Sequence, residues 1–447
     1  MVMARPVDGA LHADLPVEPP FALRARLLTP LSGGGVRYES DALVEVAADG
    51  TVARVEPWSD PSPGLPVADL RPMVLMPGLV DLHVHLPQVP AAGLGAGLEL
   101  LDWLERHIFA RERAFRAPVA ETQVPQVLAA MAAVGTTSIL AYAAVWADST
   151  DAAFRAAEAH GIRATIGAVM MDRLSYDDET PEPQRLDRSL RESAELADRW
   201  DGAAEGRLRY AYTPRFAVSC SAEMLRESAA LARARDAVWQ THVSEDAREM
   251  ATVARLFPDA RDYLDVYDRA GGLGPRTVLA HAIHLSDREL ARLVETETRI
   301  AHCPASNLFI ESGVMPLARY LDAGVVVGLG SDVAGGPELS VFSQMRMGFY
   351  AANARRVEMG DPRPAPDPLV MLRLGTLEGA RALGVAHRIG SLEPGKEADL
   401  IAVDPRVTLP PAGEDSDDPA EVMSRLVFRE RDGMVQGAWV RGRLLPA

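Results

Sequence analysis

The run Val74-Leu75-Met76-Pro77-Gly78-Leu79-Val80-Asp81-Leu82-His83-Val84-His85-Leu86-Pro87-Gln88 decides how the chain is read, because an apolar segment ends in two histidines one residue apart. Side chains alternate along a strand with a period of two, so His83 and His85 project to the same side and can aim both imidazoles at one ion. Val74, Leu75, Leu79, Val80 and Leu82 suit a strand covered on both faces, as in a parallel sheet. Two ordinary histidines closing a core strand would give the same short pattern, so residues further along the chain have to decide between the readings.

Outward from this strand, residues 75 to 385 alternate strand with helix, the signature of a parallel sheet with crossover helices. After the first strand come Thr136 to Tyr142, Arg163 to Val169, Leu208 to Thr213, Val238 to Val243, Thr277 to His281, Ile300 to His302 and Val325 to Ser331. Stretches at helical spacing lie between them, such as Ser189 to Trp200, Ala222 to Arg235 and Asp287 to Glu295. Such alternation closes a (β/α)8 TIM-like barrel, an α/β fold of roughly 250 residues, and a chain of 447 leaves material for an appended domain. Residues 21–74 and 386–447 carry the strand signals for it. Ala22 to Leu28, Ala42 to Val46 and Val52 to Val55, with Asp49-Gly50 as a hairpin turn, match Ala398 to Val403, Ser424 to Phe428 and Met434 to Arg443 at the other end. Both ends combine into one small β-sandwich, and residues 1–20, rich in Pro and Ala without a period, read as an N-terminal arm.

Composition excludes several classes of function. With 48% hydrophobic and 24% charged residues the chain is globular, and its net charge of −17 repels nucleic-acid polymers and anionic membrane surfaces. Cys220 and Cys303 form no Cys-x-x-Cys pair and cannot build a disulfide framework, which fits a reducing cytoplasm. The N-terminus lacks an apolar signal region and no segment reaches the ~20 apolar residues of a membrane span, so a soluble, unprocessed protein is expected.

Chemistry in this barrel class gathers at the carboxyl ends of the strands. His83 and His85 end the first strand, Arg215 follows the fourth, His242 ends the fifth with Glu245 three residues on, His281 ends the sixth, His302 the seventh and Asp332 the eighth. Imidazoles together with a carboxylate suit zinc or a similar divalent ion with an open coordination position. Glu245 is the candidate general acid–base, against the alternative of a solvated glutamate at a helix start. Asp332 is a candidate site residue, against the alternative of a helix cap. His281 is placed to assist at the metal or the reacting oxygen, whereas His284 and His302 read as loop-orienting. His12, His107, His160 and His387 fall off this rim, and Cys303 reads as a buried barrel residue rather than a nucleophile.

Several separated motifs then resemble the amidohydrolase superfamily, and within it the guanine deaminases. They are Pro77 to His85 with Pro87-Gln88, Leu101-Asp102-Trp103-Leu104, Thr213-Pro214-Arg215-Phe216, Thr241-His242-Val243-Ser244-Glu245, His302-Cys303-Pro304 with Ser306-Asn307-Leu308, and Ser331-Asp332-Val333-Ala334-Gly335-Gly336. The resemblance implies one Zn2+ per chain, or Fe2+, held by His83, His85, His242 and Asp332. It implies catalytic roles for Glu245, His281 and Asp332, and a purine met by His85, Gln88, Arg215, Phe216 and His242. It further implies hydrolytic deamination of guanine to xanthine and ammonia in purine catabolism, in a cytoplasmic homodimer. Alternatives are deamination of another purine, pterin or triazine ring, or a scaffold that keeps the barrel without catalysis. Ala110 stands where the family usually has proline, and Ala282-Ile283-His284 replaces a more typical Gly-Cys-Tyr, so purine selectivity is the property these departures touch. Lys396, the only lysine, lies outside the barrel and cannot supply the carboxylated lysine that bridges two metals in binuclear members. The unrelated zinc deaminases with His-x-Glu and Pro-Cys-x-x-Cys are excluded, because the two cysteines form no such pair.

Overall fold

The structure, a computed structural model, describes residues 15–447, so His12 and most of the expected N-terminal arm lie outside the described residues. Near the amino end, β1 (Phe21–Pro30), β2 (Val36–Val46), β3 (Val52–Pro57) and β4 (Val67–Pro77) precede the barrel. The barrel strands follow: β5 (Leu79–His85), β6 (Thr136–Tyr142), β7 (Arg163–Gly167), the short β8 (Val169–Met170), β9 (Leu208–Pro214), β10 (Val238–Val243), β11 (Thr277–His281), β12 (Arg299–His302) and β13 (Val327–Leu329). They lie parallel in the order β5-β6-β7-β9-β10-β11-β12-β13, with β8 extending β7 against β9. The ring is drawn together where the Asp332 amide donates to the His83 carbonyl at 2.7 Å, joining the segment after the last strand to the first.

The apolar run that opens the reading divides between two sheets. Met76 and Pro77 still pair with the carboxyl-terminal strand β14 (Leu400–Val403), and only from Leu79 does the chain pair with β6. The break falls at Gly78, where a Cβ would stand 2.0 Å from Thr137 Oγ1, so a larger residue would push the two sheets apart. Hydrophobicity could not reveal this break, because both strands are buried. Together with β15 (Val435–Val440) and β16 (Arg443–Leu444), the chain ends form a separate seven-stranded sheet, ordered β16-β15-β14-β4-β1-β2-β3. Phe21, Leu23, Leu27, Val44, Leu75, Leu400 and Trp439 belong to its own core.

One expected strand is a helix. Ser424 to Phe428 belongs to a helix over Pro419–Phe428, started by Asp418, whose carboxylate accepts the amides of Ala420 and Glu421. Its buried residues are Val422, Met423, Leu426 and Val427, a spacing that makes one helical face rather than the alternation of a strand. The expected helices run over Glu182–Trp200, Ala222–Ala234 and Asp287–Thr296. No helix among the described residues is long and apolar enough to cross a membrane.

Buried charge ties the two sheets together. Arg163, at the start of β7, donates from Nε to Asp399 at 2.9 Å and also pairs with Glu397, whose other oxygen takes Arg388. The Arg163 side chain is 5% exposed and that of Asp399 2%, so neither charge can be met by water if its partner is removed. Arg163→Ala should therefore destabilise the fold by about 3–5 kcal/mol, because it leaves the buried Asp399 carboxylate without its counter-charge while Glu397 keeps only Arg388. Urea unfolding of the variant beside wild type reads this directly, and a change within the noise of a surface substitution would show that the junction does not depend on the pair.

Candidate active site

Strands β5, β10 and β11 carry His85, His242 and His281 at their carboxyl ends, and that rim is where the polar residues meet. The Nε2 atom of His85 lies 3.2 Å from Nε2 of His83 and 3.3 Å from Nε2 of His242. Asp332 Oδ1 stands 3.2 Å from His83 Nε2 and 3.4 Å from His85 Nε2. The His242 Nδ1–H donates to the Arg215 carbonyl at 2.6 Å, which leaves Nε2 as a bare lone pair directed at the other rings. Lone pairs this close repel unless a cation lies among them. Nitrogens bound to zinc at the usual ~2.0–2.1 Å stand roughly 3.3 Å apart in a tetrahedron, so the spacing of these atoms fits one such ion with Asp332 at a further corner.

Burial keeps the rings in the ligating form. It holds the His85 and His242 imidazoles well below their ordinary range, with the neighbouring His83 adding to the effect. Burial likewise lowers His281 to about 4. Its Nδ1 faces the Asn307 side-chain oxygen at 2.9 Å, an acceptor only, so the ring proton sits there and Nε2 turns to Glu245 Oε2 at 3.3 Å. Asp332 is held ionised, since the His83 and His281 rings and the Ser306 hydroxyl at 2.6 Å overcome the penalty of burial.

Glu245 is not a solvated helix start. Asp246 and Glu249 form the capping box of the helix over Ala247–Leu256, and Glu245 precedes it with 2% exposure, accepting from Ser312 Oγ at 3.3 Å. Burial, then the negative charges of Asp332, Glu249 and Asp246, push its carboxyl well above the ordinary range. Nor does Asp332 cap a helix. It sits at φ 49°, as Ser244, His281 and Ala282 sit at 46°, 69° and 50°, so four positions of this rim hold the left-handed conformation that costs non-glycine residues energy. The Ala-Gly-Gly run after Asp332 has a steric reason. A Cβ on Gly335 would meet Ser306 Oγ at 2.5 Å, and one on Gly336 would meet the Ser331 carbonyl at 2.1 Å.

Beside the cluster is a small cavity lined by His85, Gln88, Arg215, Phe216, His242, Glu245, His281 and Asp332 among apolar residues that include Trp103 and Leu104. All the sequence-derived candidates except His83, which is buried behind them, thus line one wall. The two loop-orienting histidines part company. His284 Nε2 holds the Ser312 carbonyl at 2.8 Å and so braces the residue that touches Glu245, whereas His302 is buried with neither ring nitrogen partnered among the described residues. Cys303 is buried, and burial drives its thiol well above the ordinary range, as expected of an inert residue. Lys396 sits in the end sheet on Ser391 Oγ, far from any bridging role.

Sequence reasoning missed two residues. Asp81 is fully buried and accepts from the His83 amide at 3.1 Å, the Ser331 amide at 2.9 Å and the Ser331 hydroxyl at 2.5 Å, so it binds together the backbones that carry His83 and Asp332. It lay inside the opening motif, where an aspartate in an otherwise apolar strand was a usable signal. Glu112 holds Gln88 and Arg215, and nothing in its Arg-Glu-Arg context marks it as buried.

An eight-stranded barrel whose carboxyl rim gathers imidazoles, a carboxylate and a protonatable glutamate around one cavity defines the class of metal-dependent hydrolases. The Amidohydrolase family model matches residues 74–445, and the chain belongs to that family. It is 39% identical to a probable guanine deaminase of Deinococcus radiodurans over 376 residues, 82% of this chain and 83% of that protein. The structure resembles guanine deaminase from C. acetobutylicum with bound guanine in the active site, with a TM-score of 0.88 and 27% identity over 96% of this chain and 100% of the other. It also resembles an adenosine deaminase from Xanthomonas campestris with bound zinc, with a TM-score of 0.81 and 27% identity, covering 96% of this chain and 93% of the other.

Proposed function

We propose that the chain is a guanine deaminase: it adds water at C2 of guanine and releases ammonia and xanthine, with one zinc per chain held by His83, His85, His242 and Asp332. The observation that carries the reading is that one cavity is lined both by the Glu245, His281 and Asp332 cluster and by Gln88 and Arg215. When bound, the metal supplies Lewis acidity that lowers the pKa of a water to about 7.

The chain's own residues do the rest. Glu245 takes a proton from the attacking water and delivers it to the ring nitrogen beside C2, then serves the departing amine in the same way. His281, with its proton fixed on Nδ1 by Asn307, keeps Nε2 as an acceptor beside Glu245 and steadies the hydroxyl forming on C2. Arg215 offers N–H groups to O6 and N7, and Gln88 meets N1–H. Phe216, His85 and His242 complete the wall around the ring.

Ammonia release from a panel of purines and pterins tests the assignment. Wild type should prefer guanine to adenine by at least about two decades, since the adenine amine would aim N–H groups at a guanidinium and leave a buried donor unpaired at roughly 1–3 kcal/mol or more. Arg215→Ala should lower guanine turnover while leaving metal content unchanged. Comparable rates on adenine would move the assignment to another purine, and no ammonia from any ring would leave a scaffold. The homodimer is a further part of this reading, and light scattering at about twice the 48.2 kDa chain mass would support it.

A further inference from the structure

We infer that Glu112, which touches neither the metal cluster nor the cavity, is a positioning residue that sets the hydrogen-bond polarity and the charge of the substrate end, so that the cavity accepts a neutral purine and turns away purine anions. The inference rests on the proposed placement of the ring against Gln88 and Arg215.

Glu112 lies in the helix over Phe109–Ala114 with no exposed surface. Its Oε1 accepts from Gln88 Nε2 at 2.8 Å and from one terminal nitrogen of Arg215 at 2.8 Å, and its Oε2 accepts from that same nitrogen at 2.6 Å. A carboxylate only accepts, so the Gln88 amide must turn its nitrogen to Glu112 and its oxygen the other way. That oxygen takes the Ala334 amide at 3.4 Å, a long bond that leaves it free to accept from a ring N–H. Arg215 spends a single nitrogen on Glu112. Its Nε and other terminal nitrogen have no acceptor among the described residues and remain as donors. The wall therefore shows one acceptor beside a pair of donors, and a free amide could have shown the reverse.

Charge follows from the same contact. Among the described residues Arg215 is the only arginine or lysine lining the cavity, and it is 3% exposed. Burial works against its charge, Glu112 restores it, and the two together sum to zero. Phe109 flanks the guanidinium with its ring centre 5.6 Å from Cζ, which keeps water from screening that side. A ring with an acceptor and an adjacent N–H gains these hydrogen bonds without a net charge to answer. An anionic purine at the same place meets a guanidinium already neutralised and a carboxylate behind it.

Calorimetric titration of the metal-loaded protein with urate, a purine that is anionic at neutral pH, tests this without using turnover. Glu112→Gln should bind urate about tenfold or more tighter than wild type, because a partly desolvated guanidinium is left without its counter-charge. Glu112→Gln combined with Arg215→Gln should return to the wild-type affinity or below it. For guanine, Glu112→Gln should raise KM by about tenfold or more with a smaller fall in kcat, and Glu112→Asp should recover part of the loss. If Glu112→Gln does not fold, Arg215→Gln alone supplies the test, since it leaves the carboxylate unopposed and should weaken urate by about tenfold or more. Unchanged urate affinity in Glu112→Gln, or equal affinity in the single and double variants, overturns the inference. A wild type that releases no ammonia from guanine while these urate shifts appear overturns the proposed function and leaves the charge assignment standing.

Discussion

Glu245→Gln should lower kcat by a factor of about 10² to 10⁴ while the protein folds and holds its metal as wild type does. The amide keeps the shape and the Ser312 hydroxyl as neighbour but cannot carry a proton from water to the ring. Burial and the charges of Asp332, Glu249 and Asp246 raise the Glu245 carboxyl well above its usual range, which makes it a stronger acceptor for the water proton that it passes to a ring nitrogen. The same shift has a consequence for stability. A raised carboxyl binds more protons folded than unfolded once the pH is above its ordinary value, so its ionisation erodes stability as pH rises. In metal-free protein, Glu245→Gln should then lose less stability than wild type as pH rises above the ordinary carboxyl range. A variant that retains most of its activity would assign the proton shuttle to another group.

Asp332→Ala should abolish turnover by removing the metal. Elemental analysis is expected to find about one equivalent of zinc in wild type and far less in the variant, because three imidazoles are left without the anion that joins them. Two equivalents in fully active wild type would contradict the single-ion reading. Acid should act on the same centre. Burial holds His85 and His242 well below their ordinary range and lowers His281 to about 4, so these rings stay neutral in the fold at a pH that protonates them in the unfolded chain. The unfolded state then binds more protons between about 6.5 and 4, and metal-free protein loses stability as pH falls through that window. Thermal melts across it should fall steadily toward pH 4. A flat profile would mean that the rings are solvated.

How far the chain can be read without its structure depends on whether a residue declares itself by type and spacing. The barrel was legible because strand and helix alternate with different periods, and because a parallel strand buried on both faces is almost wholly apolar. The metal candidates were legible because histidine or aspartate at the end of such a strand has few structural uses. His302 warns against extending this, for it ends β12 and yet, among the described residues, its ring has no partner. The helix over Pro419–Phe428 was misread as a strand because a short apolar run fits both periods, and only its seat against the core chose between them.

The sequence by itself thus determined the architecture and the residue types that meet at the rim. Tertiary structure alone decided the break at Gly78, the capture of the His83 and Asp332 backbones by Asp81, and the hold of Glu112 on Gln88 and Arg215. The reason is physical. Period and composition report what a residue does along its own strand or helix, whereas a buried carboxylate is defined by partners 24, 103 or 250 positions away, which no local pattern encodes.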